Sequence, residues 1–238
     1  MSRLGTKAAL EEFQELEFRL RAAGLYSGPI DDDWGQGVNE AIDRLFAKAG
    51  FAAATPLDKA FSRLPPGYEW LSSVQQLPRT ISAALPLLGT LELAGSANSP
   101  VIMDWANETG LRNVYTADKV PWCGLFMALV IKRAGYEIPQ GPLWALNWAK
   151  FGVSTGQPGL GDVVSFTRDG GGHVALYVGE DKGHYHILGG NQSDRVSISR
   201  IEKKRLHAAR RPNFKVAQPA SVRPYILTVG GAVSRNEA

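Results

Sequence analysis

Hydrophobic positions along the 238-residue chain change their period from one stretch to the next. Between residues 8 and 49 they recur at helical spacing. Leu10, Phe13, Leu16 and Leu20 stand among Glu and Arg and stop at Gly24, while Val38, Ala41, Ile42, Leu45, Phe46 and Ala49 form a second stripe closed by Gly50. Such stripes predict two amphipathic helices, each ended by a glycine suited to the left-handed position after the last turn. A turn-rich connector from Tyr26 to Gly35 joins them. Residues 51–85 place Pro56, Pro65-Pro66-Gly67 and Pro78 between short mixed segments, which predicts a linker with one or two helical turns.

From Ala84 onward the pattern changes. Apolar residues at helical spacing run through Trp105, and a nearly continuous apolar run from Trp122 to Ala134 ends at Gly135, as in a helix buried on every side. Four short runs rich in β-branched and aromatic residues follow, Asp162–Phe166, His173–Val178, Tyr185–Leu188 and Val196–Ser199. Their even spacing and glycine boundaries predict an antiparallel meander. Residues 216–238 show no core pattern and are expected as a tail. The expected class is α+β: an all-α domain at 1–52, a linker at 53–83, a domain of helices and a small antiparallel sheet at 84–215, and the tail.

Composition is that of a folded, loop-rich chain, with 44% hydrophobic and 21% charged residues, 26 glycines and 14 prolines. No apolar stretch is long enough to span a bilayer, and Met1-Ser2-Arg3 leads into Glu11-Glu12 without an apolar signal region. The expectation is synthesis in the cytoplasm without a secretion signal and no stable membrane insertion. The net charge of +3 is unevenly spread: residues 200–215 hold seven basic side chains against one acidic. Attraction to an anionic polymer and a solvated polar face both fit that run. No interleaving of aromatic and basic residues accompanies it, so nucleic acid is not expected as a partner.

Cys123, the single cysteine, excludes an intramolecular disulfide and a CxxC metal knuckle. It opens the apolar run after Pro121-Trp122, in the first turn of the expected helix, where unpaired N–H groups favour a thiolate. A small buried hydrophobe is the alternative at that position. His173 follows Asp169-Gly170-Gly171-Gly172 and opens a strand on the face shared by Ala175 and Tyr177. Leu188-Gly189-Gly190-Asn191-Gln192 ends the next strand with an amide side chain on a glycine hinge, able to accept a hydrogen bond from the imidazole, so that the order along the chain is Cys, His, Asn. His184 and His186 alternate along that strand and raise the idea of a metal site, but there is no HExxH and no third ligand at suggestive spacing, so no metal or cofactor is expected. Trp144 and Trp148, four residues apart, read as core packing or as the wall of a substrate groove.

Two resemblances follow from these residues. Leu20, Gly24, Leu25, Tyr26, Gly28, Asp31, Trp34, Gly35 and Ala41-Ile42 resemble the small helical peptidoglycan-binding domain, with Asp32 at the family's usual glycine. That implies either a ligand-binding or a purely packing role for residues 1–52. Trp122-Cys123, Gly161-Asp162, Gly172-His173-Val174 and Leu188–Gln192, over residues 84–212, resemble the papain-like cysteine hydrolases of the NlpC/P60 and CHAP kind, most of all the branch of phage endolysins and wall hydrolases. Glu92, Gly95 and Asn98 match that branch's E-x-x-G-x-x-N opening.

By this resemblance Cys123 is the nucleophile, His173 the general base and then acid, and Asn191 the orienting residue. Trp122 and Gln192 are the candidate substrate-binding residues. The backbone N–H of Cys123 can serve as one oxyanion donor, with Asp118 and Gln192 as candidates for the second. The implied activity is hydrolysis of a peptidoglycan amide, as a stem-peptide endopeptidase or an N-acetylmuramoyl-L-alanine amidase, in phage or prophage lysis. A non-catalytic wall-binding or phage structural module, and a papain-like hydrolase or acyltransferase on another substrate, are the alternatives.

Overall fold

A computed structural model describes residues 57–93, 98–214 and 217–228, together with Leu20, Arg21, Tyr26 and Ser27. The chain divides into two compact units, Met1–Pro56 and Leu57–Ala238. Of the expected helical domain at 1–52, Leu20 is buried and its carbonyl accepts the N–H of Tyr26 at 3.3 Å. The rest of that expectation lies outside the described residues.

The second unit is α+β, several helices followed by a six-stranded antiparallel open sheet. It begins well before residue 84. Helix α1 (Leu57–Phe61), a 3-10 turn (Glu69–Ser73) and α2 (Arg79–Ala84) fall in the stretch expected as a linker. Ala60, Tyr68, Leu71, Ile81 and Ala84 are buried in the same core as the cysteine helix. Its prolines divide the stretch into pieces of five or six residues, too short to show a helical period. They do not prevent each piece from burying an apolar side chain.

Helix α3 (Pro100–Thr109) ends at Gly110, whose φ of 76° closes it in the left-handed region. Helix α4 (Cys123–Arg133) is buried from Cys123 through Ile131, as its unbroken apolar run predicts. The strands are β1 (Val153–Ser154), β2 (Val163–Arg168), β3 (Gly171–Glu180), β4 (His184–Gly189), β5 (Ser197–Glu202) and β6 (Leu206–Arg211), in spatial order β1-β6-β2-β3-β4-β5. The expected meander is β2 to β5. Alternation sends Val163, Val174, Leu176 and Leu188 into the core with α4, while Val164, Phe166, Ala175, Tyr177 and Ile187 form a second cluster.

Strand β6 returns across the sheet to pair with β2, and carries Arg210 and Arg211, two of the seven basic side chains of the run. Arg211 makes a two-pronged contact with the fully buried Asp162, Nε to Oδ1 at 3.0 Å and Nη2 to Oδ2 at 2.7 Å. Arg210 donates to the carbonyls of Phe151 and Gly152, and Arg205 to that of Thr167. These cations tie strands and loops together.

Part of the expected tail is docked. The carbonyls of Arg223 and Tyr225 accept from Leu160 and Glu180, and Leu227 donates to Glu180. A Cβ on Gly159 would come within 2.8 Å of the Arg223 backbone nitrogen, and one on Gly179 within 2.6 Å of Leu227. The segment lies in gaps left by two glycines, so it needs no apolar period of its own. No helix among the described residues is long and apolar enough to cross a membrane.

Candidate active site

Cys123 is the first residue of α4 and keeps 3% of its surface. Backbone N–H groups of Val174, Gly124 and Cys123 itself point hydrogen bonds at the thiol, and the charge of Arg168 at the end of β2 acts in the same direction. All of these favour the thiolate. Burial outweighs them and pushes the Cys123 thiol up from its ordinary value. The resting group is therefore the neutral thiol, and the helix terminus alone does not ionise it.

The Val174 contact sets the head of the cysteine helix against β3 one residue from His173. Glycines make the approach close. A Cβ on Gly190 would sit 2.6 Å from both Phe126 and Trp122, and one on Gly189 would lie 3.2 Å from His173 Nε2 and from Gln192 Oε1. A Cβ on Gly124 would meet the carbonyl of Pro142. Helix head, histidine strand and the end of β4 thus converge through positions where side chains do not fit.

His173 is fully buried, and its Nε2 lies 3.2 Å from Gln192 Oε1. The surrounding bonds fix which end of that amide faces the ring. Gln192 Nε2 donates to the carbonyls of Ser197 at 2.5 Å and Gly189 at 3.2 Å, which can only accept. Its oxygen also accepts from Ser199 Oγ at 2.7 Å. A neutral imidazole facing that oxygen carries its hydrogen on Nε2, leaving Nδ1 as the basic nitrogen.

The hydrogen bond expected of Asn191 is thus made by its neighbour. Asn191 is buried and has φ 54°, a left-handed conformation that Asn adopts more readily than most residues. Ser193 and Asp194 share it, at 56° and 59°. Three such residues in a row of four are a concentration of backbone strain beside the histidine. Gln192 has both amide hydrogens on carbonyls, so the structure does not make it an oxyanion donor or a substrate contact.

Two further expectations change. Trp122 is fully buried and cannot offer a face to substrate: its ring edges onto Trp105 and covers Gly190, and its Nε1–H donates to Glu92 Oε2 at 2.7 Å. Asp118 is an acceptor, its carboxylate taking the N–H of Ser99 at the head of α3, so it cannot be the second oxyanion donor. Two residues of the E-x-x-G-x-x-N pattern, Glu92 and Asn98, gain a structural purpose. Glu92 anchors the indole of Trp122 next to Cys123, and Asn98 Oδ1 accepts the Asp118 N–H at 3.1 Å. No motif or period in the sequence marks Arg168 or Ser199; the pairing of β4 with β5 brings Ser199 to Gln192.

Comparison of the chain with known protein families finds no match, and comparison with curated proteins finds none either. The site is therefore described by its own geometry. His184 and His186 each place a ring nitrogen on Asp181, at 3.2 and 3.0 Å. Among the described residues no group of three or more His, Cys, Asp or Glu side chains is arranged to hold a metal ion. A cleft of about 430 Å³ opens at the far end of α4, lined by Tyr136, Lys150, Phe151 and Phe214. It contains neither Cys123 nor His173, and the chemistry of the side chains, rather than the size of the cleft, locates the candidate site.

Proposed function

We propose that the protein is a cysteine hydrolase with a papain-like catalytic unit that cleaves an amide bond of bacterial peptidoglycan. The observation that carries this reading is the meeting of a helix-head cysteine, through the Val174 amide, with the strand start bearing His173, whose ring is held by Gln192. Nδ1 of His173 takes the proton of the Cys123 thiol, and Sγ adds to the amide carbonyl carbon. The tetrahedral intermediate collapses with rupture of the C–N bond, and the imidazolium delivers its proton to the leaving nitrogen. A water deprotonated by the same imidazole then cleaves the thioester, releasing the acid and restoring the thiol. Because burial holds the thiol neutral, the histidine is required for the first step as well as the last.

Peptidoglycan is supported by two separate resemblances in one chain, to a wall-binding helical domain in residues 20–42 and to wall hydrolases in residues 84–212. The proposed setting is wall degradation during phage or prophage lysis. The test is incubation of purified peptidoglycan with wild-type protein and with Cys123→Ala, followed by mass spectrometry of the soluble fraction. New amino termini or freed stem peptides from wild type alone are expected. No release from intact walls or soluble muropeptides overturns the reading and turns attention to a binding module or another substrate.

A further inference from the structure

Trp144 combines exposure, rigidity and position in a way the mechanism above does not use. It keeps 55% of its surface, whereas Trp148 of the same segment is fully buried. The segment around it is tightly bonded: Trp144 donates its N–H to Gly141 O at 3.1 Å, Asn147 Nδ2 donates to the same carbonyl at 2.9 Å, and Trp148 Nε1 donates to Pro142 O at 2.8 Å. An indole held half in water on a rigid loop forgoes the stabilisation that burying it would bring.

Both ends of this loop touch the catalytic neighbourhood. Pro142 and Leu143 press on Gly124, the residue after Cys123, and Leu146 presses on Gly172, the residue before His173. Trp144 lies between them in the chain. From Gln140 to Ala149 there is no charged residue, so the loop offers an exposed aromatic face without charge. Such a face suits the C–H surface of a pyranose ring and does nothing to recognise the carboxylates and amines of a stem peptide.

We infer that Trp144 is a specificity residue that stacks on a sugar ring of the glycan, and that the amide cut is the one joining the glycan's lactyl group to the peptide. The inference rests on the hydrolase reading above. It requires the sugar to lie one loop away from the scissile carbonyl, which an amide deep within the stem peptide does not provide.

The test compares wild type, Trp144→Ala and Trp144→Phe on a disaccharide-peptide and on the same peptide carrying only an N-acetyl group. Trp144→Ala should raise KM on the disaccharide-peptide about tenfold with kcat changed by less than about twofold, and Trp144→Phe should recover most of the loss. The acetylated peptide should be a poor substrate that the substitution does not affect. Calorimetry with the Cys123→Ala protein should show disaccharide-peptide binding that weakens about tenfold when Trp144→Ala is added. An unchanged KM, cleavage within the peptide, or binding that is absent or indifferent to Trp144 overturns the inference. Trp144-dependent binding without turnover by wild type would instead overturn the hydrolase reading and leave the sugar contact standing.

Discussion

Two buried histidines on neighbouring strands meet very different partners. His173 on β3 and His186 on β4 are both fully buried. His186 is bonded at both ring nitrogens, Nδ1 to Tyr68 Oη at 2.6 Å and Nε2 to Asp181 Oδ2 at 3.0 Å. Burial pushes the Tyr68 phenol up to about 12, so it remains a donor, and a carboxylate can only accept. His186 is thereby fixed as neutral imidazole with its hydrogen on Nε2. Burial also lowers its proton affinity, against the pull of Asp181. Burial alone would raise the Asp181 carboxyl, but the Gly183 N–H, His186, Arg200 and the His184 N–H hold it well below the usual carboxylate range.

Gln192, by contrast, meets His173 Nε2 with a neutral amide. A carboxylate on Nε2 and a phenol on Nδ1 commit both edges of a ring to structure, here joining the turn at Tyr68 to the sheet. A neutral amide orients the ring without placing a charge on it, which is what the proposed role of His173 as a base needs. Burial is equal at the two sites, so it does not tell a structural strut from a proposed base. The partners do.

His173→Gln should lower turnover by at least about a thousandfold while the chain still unfolds cooperatively. His186→Gln should do the reverse, reducing the free energy of unfolding by about 2–3 kcal/mol with the activity of the folded fraction within about twofold of wild type. Peptidoglycan turnover and urea unfolding of both variants check this. Equal loss of activity in two well-folded variants would erase the distinction.

A smaller effect tests the amide. Gln192→Ala should lower kcat about ten- to a hundredfold, because the ring loses its anchor. Gln192→Glu keeps an acceptor but places a negative charge beside the ring. That favours imidazolium, which cannot accept the thiol's proton, so the acid limb of the kcat/KM profile should move to higher pH. An unchanged profile in the Glu variant would remove Gln192 from its positioning role.

The smallest effect is the pH dependence of stability. His186 has a lower pKa folded than its ordinary 6.5, so the unfolded chain binds the proton more readily and stability falls as pH drops through that value. Asp181 is also lowered, from 3.8, and its contribution is present above that value and lost below it. Urea unfolding from pH 7 to pH 5 should show a decline that His186→Gln reduces. An identical slope in the variant would show that His186 is not its source.

What was legible in the sequence is what depends on a local run of residues. The cysteine helix is legible because nine consecutive buried positions, Cys123 through Ile131, leave no polar face. Four strands of the meander are legible because alternation between two faces survives in the residue types. The expectation that Cys123, His173 and an amide form one site rests on motifs rather than on periodicity. Strand β6 was hidden because its arginines suggest solvent, and only the sheet brings Asp162 opposite Arg211. Residues 57–83 and 217–228 were hidden because their anchors are single side chains, or backbone lying against glycines, and such contacts leave no period.

The choice between Asn191 and Gln192 shows the same division at the scale of one residue. The sequence by itself determined that an amide follows two glycines at the end of the histidine's neighbouring strand. Which amide reaches the ring depends on the backbone turning left-handed at Asn191, so that the alternation of β4 no longer predicts where the next side chain goes. It depends as well on β5 presenting Ser197 and Ser199 to the far side of Gln192. Register between strands distant in sequence is set by the packing of the whole sheet, and that packing decides which nitrogen of His173 faces the amide.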